Sequence, residues 1–173
     1  MRPFSLIVAG LMLTACATMP AARPQATAEL KNTRGETVGT ASVWEDASGV
    51  RIVAQVREFP PGRHGFHIHA VGKCDPPEFT TAGGHYNPVG KKHGLKSPAG
   101  AHAGDLPNLD VGTDRTGRLE YVTKVVTLGP GPTSLFDPDG SALVIHANPD
   151  DETTDPTGNS GGRIACGVIT KSS

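Results

Sequence analysis

Strand-length segments of alternating polarity, turn signals at close intervals, and two long Gly- and Pro-rich stretches without apolar periodicity predict an all-β domain. The architecture expected is a Greek-key β-sandwich or barrel of about eight antiparallel strands with two long functional loops. No segment carries the periodicity of an amphipathic helix.

The strands follow from alternation. Thr27 to Lys31 and Thr37 to Glu45 come first. Val50, Ile52, Ala54 and Val56 then fall on one face with Arg51, Gln55 and Arg57 on the other, as in a half-buried antiparallel strand. Asn32-Thr33-Arg34-Gly35, Asp46-Ala47-Ser48-Gly49 and Pro60-Pro61-Gly62 supply the turns. Arg63 to His69, Arg118 to Val126, Ala142 to His146 and Arg163 to Thr170 complete the set. Two stretches break this rhythm: Ala70 to Asn108, dense in Gly, Pro and His, and Ala147 to Gly162, dense in Asp, Thr, Gly and Asn. Loops of that length in a compact domain are usually functional or disordered, and metal ligands would order them without a hydrophobic core.

The N-terminus reads as a targeting segment. Residues 1–15 pair a positive start at Arg2 with an apolar run from Leu6 to Leu13, too short to span a bilayer. The run ends in Leu13-Thr14-Ala15-Cys16, which resembles the lipobox of bacterial lipoproteins, where cleavage before the cysteine leaves it lipid-modified. An ordinary secretory signal cleaved between Ala17 and Ala22 is the alternative; either route takes the chain out of the cytosol. Ala17 after the cysteine resembles the outer-membrane sorting pattern, with the domain facing the periplasm of a Gram-negative bacterium. Residues 16–25 read as a flexible tether and residues 26–173 as one domain.

Composition excludes some classes of partner. A net charge of −1, with Lys and Arg scattered, leaves no basic stripe for nucleic acid. Of three cysteines, Cys16 is the lipidation candidate, leaving Cys74 and Cys166 as an even pair in an oxidising compartment. One disulfide is the simplest reading. Thiolate metal ligation is the alternative, and it lacks a Cys-x-x-Cys spacing.

The chemistry lies in the histidines. His67-Ile68-His69 aims two imidazoles at one point, because a strand points residues i and i+2 to the same face. His85 in a glycine-flanked turn, the set His93, His102 and Asp105, and His146 add further donors. Imidazole suits copper and zinc, and a carboxylate among imidazoles suits zinc. Singly, each of these histidines is more simply solvated or hydrogen-bonded; together, in two loops and two strands, they point to metal. His85, with both ring nitrogens available, could bind one cation through each. His64 has the opposite strand parity and reads as structural.

Gly65-Phe66-His67-Ile68-His69 followed by Gly72 and Cys74, Gly83-Gly84-His85-Tyr86-Asn87-Pro88, His102-Ala103-Gly104-Asp105-Leu106-Pro107, Val144-Ile145-His146 and Gly161-Gly162-Arg163-Ile164-Ala165-Cys166-Gly167 together resemble the Cu,Zn superoxide dismutases. The resemblance covers nearly everything after residue 27. It implies one copper per subunit on His67, His69, His85 and His146 and one zinc on His85, His93, His102 and Asp105. It implies dismutation of superoxide, with His85 and Arg163 as the catalytic side chains: His85 delivers a proton and Arg163 holds the anion beside copper. Asp150 would hold imidazoles of both sites, Thr157 would stand at the channel mouth, and Cys74 and Cys166 would form the family disulfide. The four residues between His69 and Cys74 and the short segment from His146 to Arg163 resemble the bacterial periplasmic branch. A monomer or homodimer is expected, touching membrane only through a lipid on Cys16. Two other readings of the same residues are a non-catalytic metal buffer and a cupin-type oxygenase. A buffer has no use for Arg163, and the cupin pattern wants a glutamate where Lys73 and Cys74 stand.

Overall fold

Alternation in sequence becomes alternation in burial. In the computed structural model, which describes residues 22–173, ten strands pair antiparallel. They are β1 (Ala26–Asn32), β2 (Thr37–Asp46), β3 (Gly49–Val56), β4 (Gly62–His64), β5 (Phe66–His69), β6 (Leu109–Val111), β7 (Gly117–Thr123), β8 (Ala142–His146), β9 (Arg163–Val168) and β10 (Thr170–Lys171). Val50, Ile52, Ala54 and Val56 of β3 are buried with Leu30 of β1 and Ala41 and Val43 of β2. Phe66, Ile68, Leu143 and Ile145 close the same core from the other side. The one helical element among the described residues is a 3-10 turn, Thr80–Ala82. The signal segment and Cys16 lie outside the described residues.

Hydrogen bonding orders the strands β4-β6-β7-β3-β2-β1-β9-β8-β5, with β10 added on β1. The two ends of that order, β4 and β5, are separated in the chain by Gly65 alone. The sheet therefore has to curl until its ends meet, which makes a nearly closed barrel. The connections β3 to β4 and β7 to β8 join strands that are not neighbours, the Greek-key arrangement expected from the sequence.

Three strand limits differ from the sequence reading. Arg63 to His69 is two strands, because Gly65 turns the chain: its N–H donates to Asn148 O and its carbonyl accepts from the His146 N–H, both at 2.8 Å. A Cβ at Gly65 would lie 2.7 Å from Ser160 Cβ, so the turn needs glycine. β7 ends at Thr123 rather than Val126, although Val126 is still buried. Arg163 to Thr170 divides into β9 and β10 where the Ile169 N–H turns to Ser141 O. β6, with three residues, is too short for its alternation to be legible.

The two long loops fall where the sequence places them, at 70–108 and 147–162. Metal ligands are not their whole support. Phe79 and Ala82 of the first loop are buried against Ala142, Val144 and Cys166 on the outer side of the barrel. Tyr86, Ala103 and Leu106 join the main core. Burying Phe79 alone stabilises by roughly 1.5–3 kcal/mol, so the expectation of a loop ordered without apolar burial is corrected.

Candidate metal centre

Strand parity turns Phe66 and Ile68 into the core and leaves His67 and His69 on the outer surface of the barrel, all four buried. The first long loop covers that surface by hydrogen-bonding to the open edge of β5. Ile68 N–H donates to Gly104 O and Tyr86 N–H to Ile68 O, each at 2.8 Å. These bonds set His85 opposite His69 and Asp105 opposite His67. Gly104 packs so closely on the Ile68 carbonyl that a Cβ there would collide with it. His146 enters from β8 at a register shift after Ile145.

Hydrogen bonds on one ring nitrogen of each histidine decide what the other can do. His69 Nδ1 lies 2.9 Å from Gly83 O and His146 Nδ1 3.1 Å from Gly161 O, which leaves their Nε2 atoms facing each other at 3.4 Å. His67 Nε2 bonds Asp150 Oδ2 at 2.6 Å, so its Nδ1 is buried without a partner. His85 Nε2 is buried without a partner as well. These four nitrogens lie within 4.8 Å of one another. Two orphaned, buried acceptors among four convergent imidazoles are satisfied by a cation, and an all-imidazole set suits copper.

The second set gathers on Asp105. Its Oδ1 is 3.0 Å from His85 Nδ1, 3.1 Å from His93 Nδ1 and 3.3 Å from His102 Nδ1, and His102 Nδ1 is 3.4 Å from His85 Nδ1. Zinc bonds of about 2.0–2.1 Å in a tetrahedron place ligand atoms about 3.3 Å apart, so these spacings fit zinc. Asp105 Oδ2 is held by the Gly94 N–H at 2.8 Å and the His102 N–H at 3.0 Å. His85 alone belongs to both sets, one through each ring nitrogen.

Asp150 joins the sets a second way, with Oδ2 on His67 Nε2 and Oδ1 on His93 Nε2 at 3.0 Å. His67, His93 and Asp150 could be taken for a third metal cluster by proximity alone. The imidazole nitrogens there are the ones turned away from the two ligand sets, so Asp150 acts as an acceptor that fixes ring orientation. Asn108 fixes Asp150 in turn: its amide nitrogen donates to Asp150 O at 2.9 Å and its oxygen accepts from the Asp150 N–H at 2.7 Å.

Electrostatics prepares the donors. Burial pushes His67 down to about 4, His69 to about 2 and His146 to about 3, so all three are neutral ligands at neutral pH. Burial also opposes charge on His93, but the Asp105 and Asp150 carboxylates override it and raise that ring to about 9. Burial would raise Asp105 and Asp150; hydrogen bonds from His85 and His93 to the one, and from His67 and His93 to the other, hold both far below the usual carboxylate range.

The other sequence-expected residues are placed as follows. The half-buried Arg163 guanidinium donates to Phe79 O and Gly83 O, both at 2.6 Å, and Gly83 O is also the acceptor for His69. Thr157 is exposed on the second loop, where its carbonyl accepts from Ser160. Cys74 and Cys166 are disulfide-bonded. His64 is buried between Pro60 O and His146 O, each 2.9 Å from a ring nitrogen, and joins neither set. Sequence reasoning missed Asn108, Asp155 and Glu152. Asp155 accepts from the His93 N–H at 2.8 Å and pairs with Lys92 at 2.9 Å, while Glu152 pairs with Lys96 at 2.6 Å. Nothing in their local sequence marks them, because each acts across the gap between the two loops.

Comparison with known proteins agrees with the geometry. The family model described as copper/zinc superoxide dismutase (SODC) matches residues 37–169. The chain is 47% identical over 171 residues to superoxide dismutase [Cu-Zn] 2 of Aquifex aeolicus, covering 98% of this chain and 99% of that protein. It is 40% identical over 147 residues to the superoxide dismutase [Cu-Zn] of Caulobacter vibrioides, covering 83% and 84%. Among solved structures, a SOD-like protein from Bacillus subtilis superimposes with a TM-score of 0.79 at 41% identity, over 82% of this chain and 96% of that one. Two complete ligand sets sharing His85, on a barrel and sequence of this kind, make the chain a member of the copper/zinc superoxide dismutase family.

Proposed function

We propose that this superoxide dismutase works in the cell envelope of a Gram-negative bacterium, held to the outer membrane by a lipid on Cys16, and removes superoxide arising outside the cytosol. The lipobox-like Leu13-Thr14-Ala15-Cys16 supports the anchor, and the Cys74–Cys166 bond supports an oxidising compartment. Copper on His67, His69, His85 and His146 supplies the one-electron oxidation and reduction of successive superoxide anions, which zinc has no redox chemistry to do.

The side chains of this chain do the rest. His67, His69 and His146 stay neutral because burial disfavours their charge, so they remain donors throughout the cycle. His85, held through Nδ1 in the Asp105 set, has Nε2 as the atom that can take up a proton and pass it to the reduced anion. Arg163 keeps two of its nitrogens on Phe79 O and Gly83 O, and its remaining N–H donors meet the anion in charge-assisted hydrogen bonds. It shares the Gly83 carbonyl with the copper ligand His69, and its charge also disfavours protonation of His69 and His146. To the exposed Thr157 we assign the rim of the approach.

The observation that carries this reading is His85 with one nitrogen in each ligand set. The test is a metal count and a superoxide-decay assay on the purified holoprotein, with mass spectrometry of its native N-terminus. Expected are one copper and one zinc per chain, fast decay, and a lipid-modified Cys16. Copper-free protein when both ions are supplied, or decay at the spontaneous rate, overturns the catalytic part; an unmodified Cys16 overturns the anchor alone. Arg163→Glu should slow decay by about tenfold or more and weaken or invert its fall with ionic strength. An unaltered salt profile would remove Arg163 from the anion path.

A further inference from the structure

The outer face of β2, β3 and β7 carries features that the metal chemistry does not use. Register aligns Trp44, Arg51 and Val122 across the three strands, on the face turned from the core. The Arg51 guanidinium lies 4.1 Å from the centre of the Trp44 ring. Val122 is 43% exposed and Val125, just past β7, 54%, with Lys124 exposed between them. Trp44 is also where the N-terminal chain is held: its indole N–H donates to Ala22 O at 2.9 Å. Gln25 N–H then donates to Val43 O at 2.9 Å, continuing the contact along β2. The path from residue 22 back to Cys16 therefore starts at Trp44.

That face is opposite the metal centre. Going round the barrel from β3, three strands intervene in either direction before β8 or β5, the strands that carry His146, His67 and His69. We propose that the Trp44 face rests on a phospholipid surface, so that the anchored enzyme turns its metal centre away from the membrane. The inference depends on the Cys16 lipid proposed above. Six residue steps separate Cys16 from Ala22, and a chain of that length spans at most about 20 Å. A domain of this size is roughly 40 Å across, so laying its opposite face on the membrane would need a tether of roughly 60 Å around half its girth. The anchor thus selects the Trp44 side. The chemistry of that side suits a headgroup layer: an amphipathic indole, the exposed Val122 with Val125 just past it, and the long cationic side chain of Lys124, which meets phosphate while its stem stays in apolar contact; Arg51, stacked on Trp44, is paired with Glu120 at 3.6 Å and leaves that acid neutralised.

Trp44 is the one tryptophan of the chain, so its emission reports this face without a label. The experiment adds full-chain holoenzyme to vesicles of phosphatidylethanolamine and phosphatidylglycerol, with or without brominated acyl chains, and scores flotation and N-terminal mass in parallel. Expected are flotation, a blue shift, and emission reduced about twofold or more by the brominated lipid. The double variant Val122→Asp, Val125→Asp should float, keep its metals and its superoxide-decay rate, and lose most of the quenching. Floating protein whose emission ignores the bromine overturns the proposal and leaves the anchor standing, and so does undiminished quenching in the double variant. Protein that stays in solution with an unmodified Cys16 overturns both. A blue shift that grows with protein concentration in the absence of vesicles assigns the face to a second copy of the chain and overturns the proposal.

Discussion

His85 and Asp150 connect the two ligand sets by different routes, the first through its ring and the second through its two carboxylate oxygens. Asp150→Ala removes both of those acceptors and frees the two rings they hold. Affinity for both metals should fall by about 10–100-fold, read by chelator competition; loss at a single site would show that Asp150 serves only that one. A pH effect follows from His93. Its raised pKa means that the imidazolium stabilises the metal-free fold fully below its usual value of 6.5, and that this contribution is lost as pH rises through about 9. Calorimetry of metal-free protein should therefore show its melting temperature falling between pH 7 and 10 from this group, and His93→Gln should flatten that stretch of the profile. A wild-type profile flat over the same range would show that His93 is not held as a cation. At this scale the donors were legible in the sequence, from the parity of His67 and His69 and the two-sided His85, while their division into two sets came from the resemblance to the Cu,Zn superoxide dismutases. Asn108 was not, because its partner Asp150 is distant in the chain and nearby only in the fold.

Between elements, the two loops are clamped together beside the zinc set. Lys96 meets Glu152, Lys92 meets Asp155, and Asp155 accepts from the His93 N–H. Removing the last bond leaves His93 less fixed, at a cost of roughly 1–2 kcal/mol. Asp155→Ala should therefore weaken zinc binding by about 5–30-fold while copper binding changes little, and amide exchange should quicken in residues 92–102. Equal weakening of both metals would place the clamp elsewhere. Strand positions were legible wherever alternation ran long enough, as in β2 and β3. The break at Gly65 was not, because the need for it comes from Ser160 and Asn148 in the second loop.

For the molecule as a whole, the Cys74–Cys166 bond ties the first loop to β9 across a separation of 92 residues. Chain-entropy arguments give such a bond about 4–5 kcal/mol of stabilisation, less any native strain. Cys74→Ser/Cys166→Ser should lower the melting temperature of the metal-free protein, and a melting temperature equal to that of the parent would show that the bond constrains little in the unfolded chain. With Cys16 set aside, the pair of remaining cysteines made this bond readable, whereas the small apolar cluster around Phe79 that surrounds it was not, since its members come from a loop and two strands. One further outcome lies in the cover over β5. The vacant amide and carbonyl groups along that strand are occupied by Tyr86 and Gly104, which flank zinc ligands on either side. Demetallation thus does more than empty a pocket: it loosens the guard on a strand ready to recruit a neighbour's backbone, and fibrillar self-assembly should be seeded there first.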